Sequence, residues 1–189
     1  ATFRIDPALR YLGVDSFALK GIAHVERYFF AETSGGVVRR LLAFQFEEIT
    51  ARELKPALFE LDGISRAAVE AHYKLYEGYV NKRNEIMGKL GELDVGSANQ
   101  VYSEVRALKV DLTFALGGIK NHEIYFDHLG GGGGEPDGVI RDLIFRDFGS
   151  LEDWRADLKA TAMAGRGWAW TAYDWDESRL FNYIGDAQN

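Results

Sequence analysis

The sequence predicts an α+β fold in which helices come first and strands last. Three observations predict it. Residues 65–90 and 97–129 carry apolar side chains at spacings of three and four, the helical period. Five consecutive glycines, 130–134, end the second of these stretches. The final residues, "GWAWTAYDW" and "RLFNYIGDA", are rich in aromatic and β-branched types and are separated by the polar "DES", the mark of a strand pair. Helices followed by strands argue α+β rather than an alternating α/β chain.

Residues 1–53 read as a helix-rich N-terminal extension. In "DPALRYLG", Asp6 serves as a candidate N-cap and Pro7 as the first helical residue. "SGG" at 34–36 is a turn, and "VVRRLLAFQF" (37–46) is compatible with either helix or strand. A helical-hairpin domain over 54–134 follows. Ser65 caps its first helix, in which Val69, His72, Tyr76, Tyr79 and Val80 share one face. "GELDVGSANQ" is a loop, and a second helix starts near Ser97, with Val101, Val105, Leu108, Leu112 and Leu116 in period and His122, Tyr125, Phe126 and Leu129 continuing it. The two helices form an antiparallel pair with one histidine on each arm.

Residues 135–189 form a partial C-terminal α/β domain. Pro136 and Asp137 introduce a helix carrying Val139, Ile140, Leu143, Ile144 and Phe148. Ser150 and Asp153 form a loose capping box for the next helix. The strand pair closes the sequence.

Composition narrows the chemistry. A net charge of −7 leaves no electrostatic footprint for nucleic acid. No apolar run is long enough for membrane insertion, and the N-terminus lacks a secretory pattern. The expected location is the cytoplasm or an organelle matrix. The absence of cysteine excludes disulfides and thiolate-bound metals. The glycine run invites a phosphate-loop reading, but a helix precedes it, Glu135-Pro136-Asp137 follows, and no lysine lies beside it. The histidines are the better candidates. Neutral imidazoles on facing helices are a common way to hold a transition metal, and buried core histidines are the alternative.

From residue 54 onward the sequence resembles the iron/manganese superoxide dismutases. "VEAHYKLYEGYVNKRN" resembles the first-ligand helix, "GGIKNHEIYFDHL" the second-ligand helix, "GGEPDG" the loop after it, and "FGSLEDWRADLKATAMAGRGWAW" the helix and entry to the sheet. The resemblance implies His72 and His122 as metal ligands, Tyr79 as the tyrosine gating substrate access, and Trp168, Tyr76 and Phe126 as pocket residues. It also implies Gln188 as the outer-sphere amide that tunes metal-bound solvent. Gly118 stands where an iron-type enzyme carries that glutamine, so the pattern leans to Mn over Fe at a single-ion site.

The implied substrate is superoxide, and the implied assembly is a homo- or hetero-dimer or larger. Between His72 and Tyr79 the sequence is one residue shorter than the family pattern, which predicts a straight helix where the family has a bulge. Leu75 or Tyr76 replaces a histidine that partners the gating tyrosine. The family's remaining ligands come from a later Asp-x-x-x-His motif that Asn189 precedes. Two expectations follow: the natural chain continues past Asn189, or the protein is a non-catalytic structural or interaction subunit built on the same fold. Glu77, Glu123 and Asp127, near the ligands in sequence, are expected to face solvent, as are Lys74, Lys82, Arg83 and Lys120.

Overall fold

A computed structural model describes residues 5–19 and 23–188. Ala1–Arg4, the start of the expected N-terminal helical extension, and Asn189 lie outside the described residues. The elements run β1 (Arg10–Leu19), β2 (Ala23–Ser34), β3 (Val37–Ile49), α1 (Arg66–Glu92), α2 (Glu104–His128), α3 (Gly138–Phe148), α4 (Leu151–Ala164), β4 (Gly167–Asp174) and β5 (Arg179–Asp186). The α+β class is the one expected, and two long helices precede two short ones and a small antiparallel sheet, but three strands come before them all where helices were expected first. The chain divides into two compact units, Ala1–Leu54 with Glu70–Leu112, and Lys55–Val69 with Thr113–Asn189.

In the first unit the expected helical extension is corrected. Strands β1, β2 and β3 form a three-stranded antiparallel sheet in that order. The Asp-Pro signal was ambiguous because a helix start and a β-turn share it. Asp6 Oδ1 accepts the N–H of Ala8 at 2.9 Å and its carbonyl accepts that of Leu9 at 2.9 Å, so the chain turns once and enters β1. The "SGG" turn is where it was expected. Gly35 and Gly36 form a two-residue hairpin loop between Ser34 and Val37, with φ of 60° and 77°. Positive φ at both positions is what the twist of a tight hairpin requires. On β2, buried Ala23 and Val25 flank exposed His24, the period of two that marks a strand. Tyr11, Phe30 and Phe44 line the other face across the three strands, with ring centroids 5.3 and 5.9 Å apart.

Helix α1 carries this sheet's exit. Asn84 acts as a substitute ladder partner for Ile49, its Nδ2 donating to the Ile49 carbonyl at 2.8 Å and its Oδ1 accepting the Ile49 N–H at 3.3 Å. One strand end is thereby satisfied by a side chain instead of another strand. Val80 is buried on the same helix, as expected of its apolar face, and Ile86 further along it is buried too. Helix α2 begins at Glu104, later than the expected start near Ser97. Asn99 Oδ1 takes the N–H groups of Val101 and Tyr102, folding them into an Asx turn, and Ser103 Oγ caps the helix through Arg106 N at 3.2 Å.

In the second unit, local signals predict the elements well. Ser65 Oγ accepts the Ala68 N–H at 3.2 Å at the start of α1. Ser150 Oγ accepts the Asp153 N–H at 3.0 Å and donates to its carboxylate at 2.7 Å, capping α4. The glycine run ends α2: Gly130 takes φ 82°, and Lys55 Nζ donates to the Asp127 carbonyl at 2.6 Å in the last turn. Strands β4 and β5 pair from Gly167↔Asp186 to Asp174↔Arg179, and Trp175, expected at the end of a strand, lies exposed in the turn. Helices α3 and α4 both pack against β5.

Candidate functional site

Helix α2 buries a single seam in its second half. Ala115, Ile119, His122 and Phe126 recur at spacings of four, three and four, and all are buried. His122, at 2% exposure, is the buried polar residue of that seam. Its Nδ1 lies 2.6 Å from the Gly118 carbonyl one turn earlier, so Nδ1 carries the proton and donates, and the lone pair sits on Nε2. Burial pushes the imidazole's pKa below its ordinary value, and the Gly118 bond opposes this more weakly. The neutral ring, the form that binds metals, is therefore favoured at neutral pH.

Aromatic rings surround this imidazole. Trp168 meets it edge-on, with centroids 5.1 Å apart and planes at 86°, and Phe126 lies at 6.3 Å. Tyr125 packs on both Phe126 and Trp168 at 5.3 and 5.9 Å, and Trp170 stacks on Trp168 at 5.4 Å. Trp168 and Trp170 share a face of β4 because they are two residues apart. The cross-strand neighbour of Trp168 is Gly185, which offers no competing side chain.

Gln188 completes the group. Its Oε1 accepts the Trp168 Nε1–H at 3.1 Å. An indole nitrogen can only donate, so the amide is oriented with its oxygen toward Trp168 and its NH2 end as a donor elsewhere. The second unit thus assembles His122, Phe126, Trp168 and Gln188, four of the residues singled out in the sequence. Tyr125, Trp170 and Gly117 also belong to this group and were missed as site residues, and Gly118, named only as the alternative amide position, proves to be the hydrogen-bond partner of His122. The aromatic run after His122 was the available signal for Tyr125.

The other three candidates lie on α1 in the first unit. His72 is half-buried, Tyr79 half-buried and Tyr76 buried at 1% exposure. The helix is α-helical throughout, without the family's bulge, so Tyr76 and Tyr79 follow His72 by one and two regular turns. Tyr76 has a task the sequence did not suggest. Its hydroxyl accepts the main-chain N–H of Arg52 at 3.0 Å, and Tyr73 donates to the Arg52 carbonyl at 3.1 Å.

The neighbouring charges fall mostly as expected. Asp127 is exposed, but the Glu123 side chain is largely covered and pairs with Lys120 at 3.0 Å. Lys82 pairs with Glu85, and Arg83 binds the Glu47 carbonyl and Asn84, so these cations serve local contacts. Among the described residues, no group of three or more histidine and carboxylate side chains is placed to hold a metal ion. No helix is long and apolar enough to cross a membrane.

Comparison with known proteins identifies the family. Residues 54–130 match the family model for the α-hairpin domain of iron/manganese superoxide dismutases, and residues 136–189 match the model for their C-terminal domain. An iron superoxide dismutase of Aquifex pyrophilus is 45% identical over 141 residues, covering 72% of this chain and 65% of that protein. One from Cupriavidus metallidurans is 38% identical, covering 69% of this chain and 68% of its own length. A mitochondrial manganese superoxide dismutase of Charybdis feriata is 38% identical over 105 residues, covering 54% of this chain and 45% of that protein. The match to the Aquifex protein spans just under two thirds of its length, and residues 1–53 lie outside both family models.

Proposed function

The chain belongs to the iron/manganese superoxide dismutase family, and from that premise we propose that it disproportionates superoxide at a single manganese or iron ion. In this reaction two superoxide anions and two protons become dioxygen and hydrogen peroxide. The observation that carries the reading is His122, a buried neutral imidazole that commits its Nδ1 proton to the Gly118 carbonyl and sits among aromatic rings.

The donor set fits such an ion in part. His122 meets the requirements of a ligand: deprotonated at Nε2, oriented by its Nδ1 hydrogen bond to the Gly118 carbonyl, and walled by aromatic rings that lower the local dielectric. His72 is the second proposed ligand. The described residues hold no cluster of three histidine or carboxylate donors. When bound, the ion supplies one-electron redox chemistry.

The chain's own residues supply the rest. Trp168 and Phe126 cover His122, and the Trp168 indole holds the Gln188 amide by its oxygen, which leaves the NH2 end as the donor. Tyr79 is proposed as the gate. Gln188, together with Gly118 at the alternative amide position, favours manganese, while relatives named as iron enzymes support iron as well. Metal analysis of the purified protein, combined with a superoxide-consumption assay, tests the proposal. Superoxide consumption with about one manganese or iron per chain is expected; a protein that binds neither metal and leaves superoxide untouched refutes it.

A further inference from the structure

Helix α2 carries two adjacent glycines, Gly117 and Gly118, well inside Glu104–His128. A mid-helix glycine destabilises a helix relative to alanine, so each needs a reason. Gly117 does not have a positive φ, so backbone freedom is not the reason. Close approach is. A Cβ built on Gly117 would lie 1.8 Å from the main-chain oxygen of Gln188, 2.9 Å from its carbonyl carbon and 3.1 Å from its Cβ. The obstacle is mainly backbone, which no rotamer change relieves. At Gly78 and Gly88 on α1, by contrast, a Cβ meets nothing within 4 Å.

The contact closes a circuit. Gln188 rests on Gly117, its amide accepts from Trp168 at 3.1 Å, Trp168 packs edge-on to His122 at 5.1 Å, and His122 bonds back to the Gly118 carbonyl at 2.6 Å. The circuit begins and ends on neighbouring glycines of one helix. The geometry points to Gly117 as the positioning residue for Gln188: its bare Cα sets the depth at which that main chain lies against α2, and so where the amide stands relative to Trp168 and His122. Its relevance to catalysis rests on the proposed role of Gln188, but the placement stands apart from that role.

Three measurements on the full chain decide it. In the unmodified protein, nuclear Overhauser contacts between the Gly117 Hα protons and Gln188 are expected; their absence overturns the placement even if every variant misfolds. Gly117→Ala is then compared with Gly88→Ala. The alanine at 88 should raise the melting temperature. The alanine at 117 should lower it and shift the Trp168 indole N–H resonance, identified by its loss in Trp168→Phe. A Gly117→Ala protein that melts higher and keeps the indole resonance unmoved contradicts the inference. In the metal-loaded protein, Gly117→Ala and Gln188→Ala should each slow superoxide consumption by about tenfold or more and displace its pH profile in the same direction. If the indole shifts in Gly117→Ala while rate and pH profile hold in both variants, the placement is upheld and the chemical role of Gln188 fails.

Discussion

The hydroxyl of Tyr76 accepts the main-chain N–H of Arg52 at 3.0 Å, joining the face of α1 that carries His72 to the segment leaving β3. Tyr76 is buried, so the bond is shielded from water, and removing it strands an amide donor. Tyr76→Phe keeps the ring and deletes the acceptor. It should cost about 1–3 kcal/mol of stability, read by urea denaturation, and should speed hydrogen exchange at Arg52. Tyr73→Phe removes a more exposed bond to the same residue's carbonyl and should cost less.

Asn84 performs both halves of a strand partner's task for Ile49. Asn84→Asp retains an acceptor for the Ile49 N–H but loses the donor to the Ile49 carbonyl and sets a carboxylate oxygen against it. The aspartate variant should therefore be less stable than Asn84→Ala, which removes the side chain without adding repulsion. Denaturant midpoints of the two variants check the order, and the reverse order would show that the amide donor contributes little.

The carboxyl of Asp147 is drawn from an ordinary 3.8 down to about 2, first by the Arg146 guanidinium and next by the N–H of Leu180. The unfolded chain titrates nearer 3.8, so between that value and about 2 the unfolded state binds more protons and acid destabilises the fold. The contribution is present above the unfolded value and is lost as pH falls through the folded one. Asp147→Asn should be less stable than the unmodified chain near neutrality, and the gap should narrow on acidification across this window. A gap that stays constant in denaturation curves taken at about pH 5 and about pH 2.5 would assign the effect to shape instead of charge.

A polar chain fastens α4 to the C-terminal sheet. Trp154 Nε1 donates to Thr171 Oγ1 at 2.9 Å, Thr171 donates to Asn182 Oδ1 at 2.6 Å, and Asn182 Nδ2 donates to Asp157 Oδ2 at 2.7 Å. Thr171→Val matches the threonine in shape but leaves the indole and the amide oxygen without this partner. A loss of about 1–3 kcal/mol is expected, with Thr171→Ser recovering part of it in thermal melts.

The sequence was most legible where the signal was local. Ser65 and Ser150 sit at helix starts, the glycine run ends α2, and the aromatic segments around the "DES" turn pair as strands, because caps, breakers and alternation act within a few residues. The N-terminal sheet was misread because Asp6-Pro7 serves a turn as well as a helix, and because runs such as Tyr28-Phe29-Phe30 hide the period of two. For the site, His122 was reached from the helical pattern, Trp168 and Gln188 only through resemblance, and the three lie together in one unit. What was not legible depends on contacts between distant positions. Nothing local announces that residue 188 will press on residue 117 or that Tyr76 will bind residue 52. The paired glycines inside a helix were the one visible hint of the former.

His122→Ala gives the most direct test of the central claim, that a buried neutral imidazole on α2 serves a redox-active ion consuming superoxide. Circular dichroism first establishes that the helices persist; bound manganese and iron, and the rate of superoxide loss, are then measured beside the unmodified protein. The account predicts that the variant loses most of its metal and its activity together. A folded variant that keeps both at the level of the unmodified chain would contradict it.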